Sequence, residues 1–301
     1  MFLMGLLLLA LQPIAQPNFP QNPQEAEIIY SDLVHFIDAY EELAADKDTI
    51  AVLNALYFDR GSAGLKEFIS RHQLSPEMMK EAMAADPERY ALLPDFLINI
   101  HEVEALYHEL MIEYGKVMPE AMYPPTYLLV GANRGIGQAS LVGQLVTVTR
   151  PVDSMEKLKK LMVHELSHFQ QAMAMGGQNY VALYAAPDNM LGLCLREGGA
   201  EFIAYLAVND VTQRSSLDYL ENNEDRLKDQ FLQDLETQNK DFWLWESLEQ
   251  SEHPSLLGYA MGFKVCKHYY DQSSDKTFAM QQILKMEDAE AFLSSSGYFE
   301  R

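Results

Sequence analysis

The sequence predicts an α+β fold, mostly helical, with one small sheet packed against a buried helix. Three observations carry that expectation. Apolar residues recur at three- and four-residue steps from Glu25 to about Gly115, and again from Ser154 onward. Between these tracts, Tyr127–Val130 and Leu141–Thr149 are short and rich in Leu, Val and Thr, as strands are. The 301 residues are 48% hydrophobic and 22% charged, which suits a packed core and excludes wholesale disorder.

The chain opens with an apolar run, Phe2–Leu11, followed by Gln12-Pro13. Spanning a bilayer takes about 20 residues, so the run is too short for that and suits the core of a secretory signal. No Lys or Arg precedes it, and cleavage after Ala15 would leave Pro13 three positions back, so an apolar tail is the alternative. Residues 1–15 are thus expected to be a signal peptide and the product periplasmic or extracellular, or cytoplasmic if the run is not a signal. Residues 16–24, rich in Pro, Gln and Asn, read as a linker.

Residues 25–120 read as a helical N-terminal region. Ile28, Leu33, Phe36, Ile37, Tyr40 and Leu43 begin its apolar stripe. Further helices are expected over Thr49–Phe58, Ala63–His72, Pro76–Ala84 and Leu93–Tyr114, with Ser75-Pro76 as a cap and first-turn pair. Pro124-Pro125 ends the tract. The glycine-rich stretch from Gly131 to Gly137 joins the two strands. It lacks the Gly-Lys-Ser/Thr of a phosphate-binding loop, and reads as a hairpin or the rim of a site. Later helices are expected over Met155–Met175, Met190–Val208, Ser216–Trp245 and Ser255–Asp271, with two short pieces after them. The charged tract Glu221–Glu252 reads as a solvated helix face, and Phe242–Trp245 as core.

Lys+Arg is 22 and Asp+Glu is 44, a net charge of −22. A surface this acidic repels phosphate backbones and anionic lipid, so no nucleic-acid partner and no stable membrane span beyond the N-terminal run are expected. Two cysteines, Cys194 and Cys266, are too few for a disulfide scaffold or a Cys-rich zinc module. They pair if the protein is exported, or stay as two buried thiols.

The chemistry concentrates in one helix. His164-Glu165-Leu166-Ser167-His168 is an HExxH motif, which chance placement would produce in roughly one such chain in fifty. Residues four apart on a helix lie about 40° apart around its axis, so His164 and His168 project from one face and can share a metal ion. Glu165 is turned about 100° from His164. It flanks the metal and can take a proton from the water it activates. A catalytic zinc takes a third protein ligand. Gln171 and Ala174 stand where the metzincin pattern has Gly and His, so that subclass is excluded. Glu197 and Glu201, four apart in Arg196-Glu197-Gly198-Gly199-Ala200-Glu201-Phe202, can bring a carboxylate to the metal from the next strong helix.

This pair of motifs resembles the gluzincins, HExxH zinc peptidases whose third ligand is a glutamate on a following helix. The nearest likeness is to a poorly characterised bacterial group of predicted zinc-dependent proteases with HExxH, an EGxAEF helix and a late GYxxG-type helix, here Gly258–Gly262. It covers roughly residues 120–270. The resemblance implies a zincin-like catalytic domain over 121–301 and one Zn2+ bound by His164, His168 and Glu197, with Glu201 hydrogen-bonding a ligand histidine. It also implies an edge strand that holds an extended peptide; Leu145–Val148 suits that part. The gap from His168 to Glu197 is longer than in those enzymes, Arg196 replaces an asparagine, and no GxMEN segment marks an aminopeptidase.

The function implied is zinc-dependent hydrolysis of a peptide bond, with Glu165 as general base and a peptide or protein as substrate. The alternatives are an exported zinc-containing binding or assembly protein without turnover, and a zinc hydrolase of another amide or ester. Tyr259 and His253 are the candidate donors to the oxyanion. Cys194, His72, His101 and His108 read as structural.

Overall fold

The computed structural model describes residues 19–43, 47–133, 137–186, 189–245 and 253–300. The run Phe2–Leu11 and the cleavage region at Ala15 lie outside the described residues, as do Arg134–Ile136 of the glycine-rich connection and 246–252 of the charged tract.

The Leu/Val/Thr-rich stretches build a four-stranded sheet of β1 (Ile28–Ile29), β2 (Thr126–Leu129), β3 (Gly137–Ser140) and β4 (Gly143–Thr147), in the order β1-β2-β4-β3. β2 pairs parallel with β1 and with β4, and β3 pairs antiparallel with β4. The two foreseen strands are therefore parallel neighbours and not the arms of a hairpin. The end of the glycine-rich connection forms the third strand, which folds back on β4. Ile28 belongs to a strand and not to the first helix. β4 is bonded on both sides and buried at every residue, so Leu145–Val148 cannot be the edge that holds a peptide; that position belongs to β3. A short run buried on both faces is what an interior parallel strand requires.

Strand alternation sorts the two faces. On one, Tyr127 packs against Gly64, and His72 Nε2 lies 2.9 Å from Gln138 Oε1, so the helix α3 (Ala63–His72) covers it together with α1 (Ser31–Leu43). On the other, Gly137 lies against Glu165 of α8 (Met155–Met175). Between α1 and α3, α2 (Thr49–Leu53) runs into a π-helical turn, Asn54–Phe58. After α3 come α4 (Pro76–Ala85), α5 (Pro87–Ala91), α6 (Leu93–Ile98) and α7 (Ile100–Val117). Ser62 and Ser75 cap α3 and α4 by accepting the Leu65 and Met78 amides. The foreseen helix 93–114 is interrupted at Asn99. Tyr57 and Tyr90 donate to the carbonyls of Val130 (2.6 Å) and Gly131 (2.7 Å), which satisfies the backbone where β2 ends.

Past α8 come α9 (Gly177–Ala185), α10 (Met190–Val208), α11 (Arg214–Asn222) and α12 (Glu224–Thr237). A π-helical turn at Asp241–Trp245, α13 (Leu257–Gln272), α14 (Lys276–Lys285) and α15 (Ala289–Ser296) complete the chain. The foreseen helix 216–245 breaks at Asn223 and again at Gln238, whose φ is 56°. Trp243 and Leu244 are core, whereas Trp245 is exposed. α10 is buried from Met190 to Ala204, surrounded by α7, α8 and α13. It crosses α13 where Gly198 faces Gly262, a contact with no room for a side chain on either helix. One hydrophobic cluster runs from Ala26 to Tyr298. Cys194 and Cys266 are buried and unbonded. No described helix is long and apolar enough to cross a membrane.

Candidate metal centre

The HExxH helix is held by polar ties on faces its histidines do not use. Ser167 Oγ donates to the Val163 carbonyl (2.9 Å) and meets the Tyr114 hydroxyl of α7 (3.2 Å). Gln170 exchanges hydrogen bonds with the backbone of Met122 (2.6 and 3.1 Å). With α8 so fixed, His164, Glu165 and His168 are all buried facing α10 and the sheet.

Three side-chain atoms converge there. His168 Nε2 lies 3.0 Å from His164 Nε2 and 3.0 Å from Glu197 Oε2, and His164 Nε2 lies 3.6 Å from the same oxygen. These three residues form a buried group that could hold a metal ion. Acceptors stand beside the opposite ring nitrogens. Gln171 Nε2 donates to the Arg196 carbonyl (2.9 Å), so its Oε1 is turned to His168 Nδ1 (3.0 Å) and accepts from it. Glu201 Oε1, an acceptor, stands 3.3 Å from His164 Nδ1. With its proton on Nδ1, each neutral imidazole would present Nε2 as a lone pair toward Glu197 Oε2, the form that a cation bound there would select. Two nitrogen lone pairs and a carboxylate oxygen facing one point are the donor set of a cation site. A tetrahedral zinc with ligand distances of about 2.0–2.1 Å separates its ligands by roughly 3.3–3.5 Å, close to the spacings here.

The electrostatics are those of a site arranged for positive charge. Burial disfavours the charged form of His164, but hydrogen bonds to Glu197 and Glu201 and the nearby carboxylate charges outweigh it and hold the imidazole well above its usual range. Burial likewise pushes Glu197 up, and His168 and His164 overcome it to hold that carboxyl well below its usual range. Glu165 is raised, because burial outweighs the two histidines. Its carboxylate rests against Gly137, where a Cβ would collide with it. Burial, followed by the Glu197 charge, lifts Tyr259 far above the ordinary phenol range, so it keeps its proton. Its ring stacks on His164 (6.1 Å, 12°) and its hydroxyl hydrogen-bonds Glu197.

The structure thus brings together His164, Glu165, His168, Glu197, Glu201 and Tyr259. Glu201 is further held by the Thr212 amide (2.8 Å) and hydroxyl. His253 lies elsewhere, against Phe242 (4.3 Å between rings), and does not line the cleft. Cys194 sits in the α10–α13 contact beside Gly258. His72 touches the sheet, while His101 and His108 are exposed on α7. Gln171 was not foreseen in a site role. Its position one turn after His168 is the only hint in the sequence, and it matches the i,i+3 spacing of helix neighbours. The long gap between His168 and Glu197 is filled by α9, which Arg196 ties down by donating to the Tyr180 carbonyl (3.0 Å) and stacking on its ring (4.3 Å).

A family model described as Predicted Zn-dependent protease (DUF2268) matches residues 128–293, more than half of the chain, which therefore belongs to that family. Comparison with curated proteins and with solved structures found no match.

Proposed function

With that membership as the premise, we propose that the protein is a gluzincin-type peptidase, with one zinc held by His164, His168 and Glu197. The observation that carries this reading is the convergence of His164 Nε2, His168 Nε2 and Glu197 Oε2 on one buried point, with acceptor oxygens of Glu201 and Gln171 beside the opposite ring nitrogens. Zinc bound there would polarise a substrate carbonyl and make water a nucleophile near neutral pH.

The chain's own residues do the rest. Glu165 is beside the three ligands and not among them, and its carboxylate lies against the edge strand β3. From there it takes the proton of the attacking water and returns it to the departing amine nitrogen. Its burial and raised pKa bring its basicity closer to neutral pH, where such a transfer is most efficient. Tyr259, which stays protonated beside Glu197, is the donor to oxygen charge that develops on the carbonyl. β3 offers an edge for an extended peptide. The apolar N-terminal run supports export, which mass spectrometry of the native N-terminus would test: a start between residues 15 and 24 is expected, and an intact Met1 would refute it.

The test of the activity is a peptide-library digest by wild type and Glu165→Gln. The amide keeps its shape but cannot accept a proton, so cleavage should fall by about a hundred- to ten-thousand-fold. Equal cleavage by the two proteins removes Glu165 from the mechanism. Zinc-loaded wild type that cleaves nothing favours a binding protein.

A further inference from the structure

The cleft beside His164 and Glu165 has a volume of about 740 Å3. On a chain with a net charge of −22, a lining drawn at random would be acidic. Instead four cations, Arg89, Arg150, Lys157 and Lys160, face this cleft against two carboxylates, Asp86 and Glu165. Three of the cations are engaged. Arg89 pairs with Asp86 (2.8 Å), Lys160 with Asp210 (2.9 Å) and Lys157 with Asp153 (3.4 Å), the last with 62% of its side chain exposed. Arg150 has no carboxylate partner among the described residues. Its own carbonyl is held by Arg89 Nη1 (3.0 Å), and its guanidinium donates to the Asn133 carbonyl (3.4 Å). The backbone is fixed while the charged head stays available to the cleft.

The helix geometry sets a distance scale. Lys160 and Lys157 precede His164 by four and seven residues, so they stand one and two turns earlier on the same face, about 6 and 10.5 Å along the axis. An extended peptide advances about 3.3 Å per residue, so that span corresponds to roughly two to three substrate residues. Arg150 lies just before the start of α8, at the same end of the cleft. The positive end of the helix dipole adds to the field there. With Arg89, Lys157 and Lys160 offset by Asp86, Asp153 and Asp210, the Arg150 guanidinium is the cation of this lining left without a carboxylate among the described residues.

Resting on the peptidase reading, we propose that this end of the cleft selects a substrate carboxylate about two to three residues from the bond that is cut. Arg150 is its anchor and Lys157 its support. The carboxylate belongs either to an Asp or Glu side chain or to a free C-terminus, and both present the same planar group to a guanidinium fork.

Internally quenched peptides that differ by Glu or Gln at each position, each with a free or an amidated C-terminus, separate these sources. Wild type should prefer the carboxylate form by about ten-fold in kcat/KM, the scale of one charge-assisted contact at a partly exposed site. A Glu-to-Gln effect at one position identifies a side chain, and an amidation effect identifies the C-terminus. The ratio within each variant is the readout. It should approach one in Arg150→Gln and shift toward Lys-containing peptides in Arg150→Glu. Binding of fluorescein-labelled versions to zinc-loaded Glu165→Gln, followed by anisotropy, gives the same ratio without turnover. Equal cleavage and equal binding of charged and neutral peptides overturn this inference and leave the peptidase reading standing. Preferential binding of the acidic peptides, with no cleavage by wild type, supports the cleft assignment and sinks the peptidase reading. Peptides that neither bind nor react sink both.

Discussion

Gly198→Ala is expected to be among the most damaging single-methyl additions in the chain. A Cβ at this position would overlap the backbone of Gly262 and Phe263 on α13 by more than about 1 Å. Backbone cannot rotate aside as a side-chain tip can, so α10 and α13 must separate. Overpacking costs about 1–3 kcal/mol, and a backbone-to-backbone clash belongs at the upper end. For a chain of this size about 3 kcal/mol corresponds to a fall in Tm of roughly 5 °C. The neighbouring Gly199→Ala is the control. Its Cβ would meet the Gln171 amide at 3.1 Å and Ile283 Cγ2 at 3.3 Å, side-chain atoms that can yield by a few tenths of an ångström. Replacing Gly by Ala inside a helix returns up to about 1 kcal/mol, so Gly199→Ala should stay within about 2 °C of wild type. Circular dichroism melts of the three proteins make the comparison. Because α10 carries Glu197 and α13 carries Tyr259, Gly198→Ala should also weaken zinc binding. Equal Tm values for Gly198→Ala and Gly199→Ala would refute the reasoning.

Tyr259→Phe removes the hydroxyl beside Glu197; kcat should fall by about a hundred-fold with zinc content and KM little changed, and an unchanged kcat would clear Tyr259 of an oxyanion role. Gly137→Ala drives a Cβ into the Glu165 carboxylate, so peptide cleavage should fall while bound zinc, measured by mass spectrometry, stays at the wild-type level. Asp32 carries the pH prediction. Burial raises its pKa despite hydrogen bonds from the Ser62 amide (2.9 Å) and hydroxyl (2.5 Å), so the folded chain holds this proton more tightly than the unfolded one. Its contribution to stability is present below the ordinary aspartate pKa of about 3.9 and is lost as pH rises through the raised value. Asp32→Asn should therefore gain in urea midpoint relative to wild type between pH 4 and 7, and a constant difference across that range would contradict the assignment.

The parts of the fold legible in the sequence are those set by neighbours along the chain. Met155–Met175 and Met190–Val208 follow from apolar spacing, and α4 from the Ser75-Pro76 pair, because caps and stripes act within a turn or two. What was misread depends on distant partners. Ile28–Ile29 is a strand only because it lies beside Thr126-Tyr127, almost a hundred residues away, and its apolar pair fits a helical stripe equally well. The parallel pairing of β2 with β4 is equally non-local, and it moves the sheet's edge from β4 to β3. None of the described side chains of α9 is buried, which leaves a weak stripe to read.

The site divides the same way. His164, Glu165 and His168 are legible because one helix spaces them, and Glu197 and Glu201 because a second helix repeats the four-residue step. Gln171 acquires its meaning from the Arg196 carbonyl, which fixes which way its amide points. The basic lining of the cleft draws on α5, the turn between β4 and α8, and the start of α8, and no local pattern joins those residues.

The central claim is that Nε2 of both histidines and Oε2 of Glu197 hold a single zinc, and metal analysis of purified protein tests it most directly. Inductively coupled plasma mass spectrometry on wild type, Glu165→Gln and Glu197→Ala, each dialysed after zinc loading, should find about one zinc per chain in the first two and far less in the third. Full zinc retention by Glu197→Ala, or none in wild type, would contradict it.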